Sequence, residues 1–509
     1  MMAEASQQGV IAFLSDPANH AGQSVKRIDT HAAVVFLAGL RALKIKRAVR
    51  FPFLDFSTLE RRKAACEAEI AVNRAFAPAI YRGVIAITRE RDGQLAIGGK
   101  GQPVEWAVEM KRFDENQTLD HLAEAGRFDA ALADLLARAV ASAHRAAPTV
   151  ANSNFVESLE EITSQNEAEL AAEPDLIPLQ ELRAFSASTR NTLARLKPLL
   201  LARERAGLVR RCHGDLHLGN IVLFSGRPVL FDAIEFNERI ATCDVLYDLA
   251  FLLMDLTERR LQPAANIVLN RYLTETGRVH DFDALSALPL FMSIRAAIRA
   301  KVIAAQRRQD TNGTDLTCKA HGYIALAKKL LAPVGPQLVA IGGLSGTGKS
   351  MLARALASGI QPLPGAVVLR SDIERKALFR AGETERLAQS AYTPEVTAKV
   401  YAALAEKALR AIAAGHSVIV DAVFAQSAER AEIAKAAGSA AFTGLFLTAD
   451  LKTRIARLDA RRGDASDADA NVAQMQEQLE LGRVNWTKVD ASGTAEETLI
   501  RARAMLKLE

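Results

Sequence analysis

Two short stretches of this 509-residue chain carry residue types at spacings suited to handling phosphate. One is Gly343-Leu-Ser345-Gly346-Thr347-Gly348-Lys349-Ser350, which satisfies G-x-x-x-x-G-K-[ST], the Walker A pattern, directly after the apolar run Leu338-Val-Ala-Ile-Gly342. Glycines let backbone N–H groups curl around phosphate oxygens, and the helix expected next adds its positive end. Lys349 then reaches the outer phosphates and the Ser350 hydroxyl coordinates Mg2+. The other stretch is His213-Gly-Asp215-Leu-His217-Leu-Gly-Asn220, followed by a turn at Ser225-Gly226 and by Pro228-Val-Leu-Phe-Asp232. In that spacing Asp215 accepts or orients the proton of an acceptor hydroxyl, Asn220 binds Mg2+, and Asp232, ending the next strand, holds the metal ions that bridge the phosphates.

The phosphate loop has further candidates behind it. Arg370-Ser-Asp372-Ile-Glu-Arg375-Lys376 follows a strand pattern, so Asp372 and Arg375 stand at a strand's carboxyl end, where open parallel sheets bind ligands. Asp372 is placed to take a hydroxyl proton and Arg375 to hold it or the transferring phosphate. Val418-Ile-Val-Asp421 puts an acid at the tip of an apolar run, near the expected Mg2+. Arg454, Arg457, Arg461 and Arg462 precede Gly463-Asp-Ala-Ser-Asp467, a candidate lid whose arginines, Arg457 and Arg461 among them, close on the γ-phosphate.

These residues need elements to hold them. Strand-like runs Ala32–Leu37 and Arg41–Val49 flank Gly39 as a hairpin, a helical pattern covers Leu59–Phe76, and apolar runs return at Val84–Thr88 and Val104–Phe113. That is a small strand lobe at about 20–113. From about 114 to 332 the chain reads as helices, broken at Pro174–Pro178. Ala332-Pro-Val-Gly-Pro336 marks a linker at 333–336. Beyond it, strands Gln337–Gly342, Val367–Ser371, Ser417–Val420 and Thr443–Leu447 alternate with helices Lys349–Ser358, Glu395–Ala414 and Ser427–Ala437, the pattern of a parallel sheet covered on both faces. Two domains are therefore expected, an α+β one over 1–332 and an α/β one over 337–509.

Composition narrows the classes. Sixty-four Lys and Arg against 59 Asp and Glu leave +5 over the whole chain, too diffuse for a duplex-binding surface, so no nucleic-acid partner is expected. The cysteines Cys66, Cys212, Cys243 and Cys318 form no pair at metal-ligand spacing. No run reaches the length of a membrane span and the start lacks a leader pattern, so no membrane partner and a cytoplasmic location are expected.

Residues 20 to 330, with H-x-D-x-x-x-x-N and Asp232, resemble the aminoglycoside phosphotransferase family, relatives of protein-kinase-like enzymes. The resemblance implies that Lys44 or Lys46 contacts the α and β phosphates. It also implies that Glu69, or alternatively Glu67, is the lysine's ion-pair partner. Glu109 and Met110 fall where the family has its adenine-binding hinge, and Asp248 would brace the catalytic loop. A spacing of two puts both lysines on one strand face, so periodicity leaves that choice open. The part from 337 to 509 resembles P-loop kinases of small substrates, among them gluconate-kinase-like, chloramphenicol-phosphotransferase-like and zeta-toxin-like enzymes, on GLSGTGKS, RSDIERK, VIVDAVF and RIARLDARRGDASDA. Together they imply ATP and Mg2+ as cofactors and phosphoryl transfer to the hydroxyls of small-molecule acceptors. A nucleotide-sensing protein with one degenerate domain is the alternative; an ATPase doing mechanical work on nucleic acid ranks last.

Overall fold

The computed structural model describes residues 2–51, 54–307, 314–460 and 464–508. Two compact units emerge: residues 1–161 with 200–252, and residues 162–199 with 253–509.

The first unit is built on a six-stranded antiparallel sheet in the order Val25–Asp29, Ala33–Ala38, Arg41–Lys46, Gln102–Lys111, Tyr81–Arg89, Leu95–Ile97. Strict alternation sorts its faces. Val34, Phe36, Leu43, Ile45 and Ala107 form one core with Val10 and Leu14 of the helix Met2–Ser15. Lys44 and Lys46 therefore emerge on the other face, where Cys66 and Ile70 of helix Leu59–Phe76 pack with Val108 and Tyr81. Thr58 caps that helix by accepting from Arg61 N–H. The hairpin Ile221–Phe224/Arg227–Leu230 turns at Ser225-Gly226, and strand Val209–Arg211 leads into the loop that carries Asp215.

The second unit holds a five-stranded parallel sheet in the order Val367–Arg370, Val418–Asp421, Gln337–Gly343, Ala441–Thr448, Thr487–Asp490. The sheet's two central strands are buried throughout or nearly so, as continuous apolar runs covered on both faces must be. Helices Lys349–Ala357 and Ala495–Leu506 contribute Leu352, Leu356 and Ala502 to its core. Parallel register sets Arg370 beside Asp421, and Asp421 beside Ile341 just before the glycine loop, so the candidate residues share one end of the sheet. The helices Gln262–Thr276, His280–Asp283, Leu288–Arg307 and Thr314–Leu331, which precede residues 333–336, lie in this same unit.

Candidate active sites

In the first unit the charged residues converge around Glu69, which is fully buried. Its Oε1 lies 3.0 Å from Lys44 Nζ and its Oε2 lies 2.6 Å from Lys46 Nζ. Lys44 continues to Asp232 Oδ1 at 2.6 Å, while Lys46 is enclosed by Glu69 and Glu235. Burial alone would lower the pKa of Lys44, but the carboxylates of Asp232 and Glu69 outweigh it and hold it well above the usual lysine value. Of the two lysines, Lys44 alone thus links the helix carboxylate to the acid just after the hairpin, and Asp232 keeps its side chain half-exposed.

Asp232 sits in the left-handed region, φ +59°, a conformation that costs a non-glycine residue about 1 kcal/mol or more. Buried side chains fix it there. His213 Nε2 pairs with Phe231 O at 2.9 Å, Asp232 N–H donates to Tyr81 Oη at 3.1 Å, and Asn73 takes both peptide groups of Ala233, at 2.8 and 3.2 Å. Asn73 lies one turn beyond Glu69 on the same helix, so one element orients the ion-pair acid and the acid after the hairpin. Asp248 accepts from the N–H groups of His213 and Gly214, at 3.2 and 2.9 Å, and meets His144 Nε2 at 3.1 Å. Asn220 Nδ2 donates to Asp215 Oδ2 at 2.9 Å and to its carbonyl at 3.0 Å, and His217 Nε2 stands 3.4 Å from the same Oδ2.

In the second unit Gly346 (φ +85°) and Gly348 (φ +93°) shape the loop, and a Cβ at Gly346 would lie 2.5 Å from Arg454 O. Ser350 Oγ donates to Asp421 Oδ2. Arg370 joins them: Nη2 is 3.2 Å from Ser350 Oγ and 2.9 Å from Asp464, and Nε is 3.4 Å from Asp421. Lys349 Nζ donates to Leu344 O at 3.2 Å, and Thr347 Oγ1 to the same carbonyl at 2.8 Å. The Ser345 peptide is held on both sides, its N–H by Gln476 Oε1 at 2.7 Å and its carbonyl by Arg454 Nε at 2.9 Å. Burial, and then the Asp421 charge, push the pKa of Asp372 above the ordinary carboxylate range.

The donor sets fit the groups expected. Asn220 and Asp232 in one unit, and Ser350 with Asp421 in the other, offer hard oxygen ligands of the kind Mg2+ takes. The glycine loop leaves open space where a Gly348 Cβ would lie, as a close phosphate approach needs.

Several expected residues are engaged elsewhere. Glu109 and Met110 lie inside the strand Gln102–Lys111, opposite Leu43 and Gly83 and opposite Ala42 and Tyr81, so their backbone groups face neighbouring strands and not an adenine. The expected run Val104–Phe113 already contains both residues, the strand ends at Lys111, and Glu109 pairs with Arg41 at 2.9 Å. Arg375 donates to Ala391 O at 2.7 Å and lies over the Tyr392 ring. Arg457 donates to Gly493 O at 2.6 Å. Arg461 and Arg462 fall outside the described residues. Glu67 pairs with Lys63 on the helix surface, which leaves Glu69 as the lysine's partner. Sequence reasoning gave no role to Tyr81, Asn73, Glu235, Arg370 or Gln476; the one signal available was for Asn73, a polar residue four beyond Glu69 on the same face of the expected helix.

Fold and sites together define a protein with two kinase-type domains, a protein-kinase-like phosphotransferase domain followed by a P-loop kinase-like one. Residues 42–282 match the Phosphotransferase enzyme family and residues 338–481 match the AAA domain family, and these kinase-family domains support a small-molecule phosphotransferase. Uncharacterized proteins of Mycobacterium tuberculosis and Mycobacterium bovis are each 28% identical over 487 residues, 93% of this chain and 94% of theirs. The crystal structure of a choline/ethanolamine kinase family protein from Mesorhizobium loti is similar at 16% identity and a TM-score of 0.38, covering 64% of this chain and 95% of that one. A gluconokinase from Sinorhizobium meliloti is similar at 22% identity and a TM-score of 0.25, covering 34% and 93%. Among the described residues no helix is long and apolar enough to cross a membrane.

Proposed function

We propose that the chain transfers the γ-phosphate of ATP to hydroxyl groups of small molecules, dependent on Mg2+, with one nucleotide site in each unit. The observation that carries the reading is Lys44, held 3.0 Å from Glu69 and 2.6 Å from Asp232 on the same side of the sheet. An ammonium shared between a helix acid and an acid just after the post-loop hairpin is suited to bind nucleotide phosphates beside a metal site. Mg2+, when bound, neutralises charge on the bridging phosphate oxygens. In the first unit Lys44 orients the α and β phosphates, and Asp215, aimed by Asn220, takes the acceptor hydroxyl's proton as the hydroxyl oxygen bonds to the γ-phosphorus and the bond from that phosphorus to the β–γ bridging oxygen breaks, releasing ADP. In the second, the loop N–H groups and Lys349 hold the phosphates, Ser350 and Asp421 supply metal ligands, and Asp372 takes the proton. Arg370 anchors both Ser350 and Asp421.

The test is mass-spectrometric detection of a phosphorylated acceptor after incubation with ATP, Mg2+ and pooled sugars, nucleosides, amino alcohols and aminoglycosides. Acceptor-dependent product lost on chelating Mg2+ is the expected result. A second reading, ATP as a conformational ligand of the second unit, draws on Gln476 occupying Ser345 N–H, which must yield to a phosphate there. Tight nucleotide binding with no product in any pool would favour it.

A further inference from the structure

The strand Val367–Arg370 is one of the two edge strands of the five-stranded parallel sheet, and an outer strand leaves one row of backbone groups without a partner strand. Here that row meets side chains of the helix Gln262–Thr276. Asn270 Oδ1 accepts from Val368 N–H at 2.6 Å, and Asn270 Nδ2 donates to Ala366 O at 3.2 Å. Asn266 Nδ2 donates to the same carbonyl at 3.0 Å and is buried. The chain must come close for this: a Cβ at Gly365 would lie 2.7 Å from Asn266 Nδ2. Next to Asn270, Arg271 forms a two-pronged pair with Glu383, at 2.6 and 3.2 Å, just beyond the segment that carries Asp372.

We infer that the helix Gln262–Thr276, although it lies within the span matching the Phosphotransferase enzyme family, is a working part of the P-loop kinase, and that Asn270 is a positioning residue for Arg370. The Asn270 carboxamide supplies one acceptor and one donor at strand spacing, as a sixth strand would. Val368 is two residues before Arg370, so the clamp and the guanidinium that contacts Ser350, Asp421 and Asp464 belong to one four-residue strand. The positioning role rests on the reading of the glycine loop as a nucleotide site; the clamp itself does not.

The experiment compares the full-length wild type with Asn270→Leu, which keeps the side chain's bulk and loses its hydrogen bonds, and with Asn270→Asp, which keeps an acceptor for Val368 N–H. Hydrogen–deuterium exchange is followed across residues 366–372 and, as a control, across the central strand 337–343. In parallel, Mg-ATP binding is measured in each protein, with Lys349→Ala defining the share due to the loop. Expected is faster exchange over 366–372 alone in Asn270→Leu, about tenfold weaker binding at the loop site, and recovery of most of both in Asn270→Asp. Unchanged exchange in Asn270→Leu overturns the clamp. Faster exchange with wild-type nucleotide affinity overturns the positioning role. Should Lys349→Ala bind nucleotide as the wild type does, the reading of the loop fails, and the exchange result still decides the clamp.

Discussion

At the scale of single residues, the two lysines that periodicity cannot separate do different work. Lys44 faces Asp232 and the open side, whereas Lys46 is enclosed between Glu69 and Glu235. Lys44→Ala is therefore expected to weaken nucleotide binding in the first unit by about 10-fold or more and to leave the fold intact, because Glu69 keeps Lys46. Lys46→Ala leaves Glu235 buried without its cation and is expected to destabilise by about 3 kcal/mol. Nucleotide titration and urea melting of the two variants check the division; equal effects in both assays would contradict it. Asp215→Asn is expected to cut turnover at its site by about 10^2 to 10^4 while nucleotide affinity stays put, since the group acts on the acceptor's proton. Asp215, Asn220, Asp232, Lys349 and Ser350 were legible in the sequence because local spacing brings each set together. Tyr81, Asn73 and Arg370 were not, because their partners lie far along the chain and only the fold makes them neighbours.

At the scale of elements, sequence patterning located helix Leu59–Phe76 and the strands at Gln337, Val367, Val418 and Ala441 to within a residue or two, since each has a clear apolar period or run. It passed over strands Val25–Asp29 and Thr487–Asp490, whose residues are mostly polar or exposed and carry little period, and also helix Met2–Ser15, although Val10 and Leu14 stand at helical spacing and reach the core. The hinge expectation at Glu109 and Met110 failed although the run Val104–Phe113 contained both residues, because an apolar run does not tell that strands pair with it on both sides. Two predictions belong here. Gly346→Ala adds a Cβ 2.5 Å from Arg454 O at a φ of +85°, so it should displace the loop and abolish its nucleotide binding; calorimetric titration at wild-type affinity would refute this. His416, buried two residues before strand Val418–Asp421, shares a hydrogen bond with Gly365 O at 3.0 Å, its Nδ1 has no partner among the described residues, and burial pushes its pKa down to about 4. A neutral imidazole is favoured in the folded state, so this stability is full above about pH 6.5, the unfolded value, and is lost as pH falls towards 4, up to about 3 kcal/mol. Urea melts at pH 7 and pH 5 should show a smaller acid loss in His416→Asn, which can keep the bond to Gly365.

At the scale of the whole molecule, composition and the Pro/Gly cluster mark a change of style near residue 333, but they carry no information on which helices pack with which sheet. Contacts place residues 253–331 in one compact unit with the parallel sheet, and the asparagine clamp on Val368 is the chemical expression of that. The central claim is that two separate phosphoryl-transfer sites exist in one chain, one built on Asp215 and Lys44, the other on Lys349 and Asp421. The measurement that tests it most directly is γ-phosphate consumption by the full-length wild type, Asp215→Asn and Lys349→Ala, with Mg2+ and the acceptor pools resolved one by one. The account predicts that each substitution removes turnover on a different acceptor and spares the other. Loss of all turnover with either single substitution, or turnover untouched by both, would contradict it.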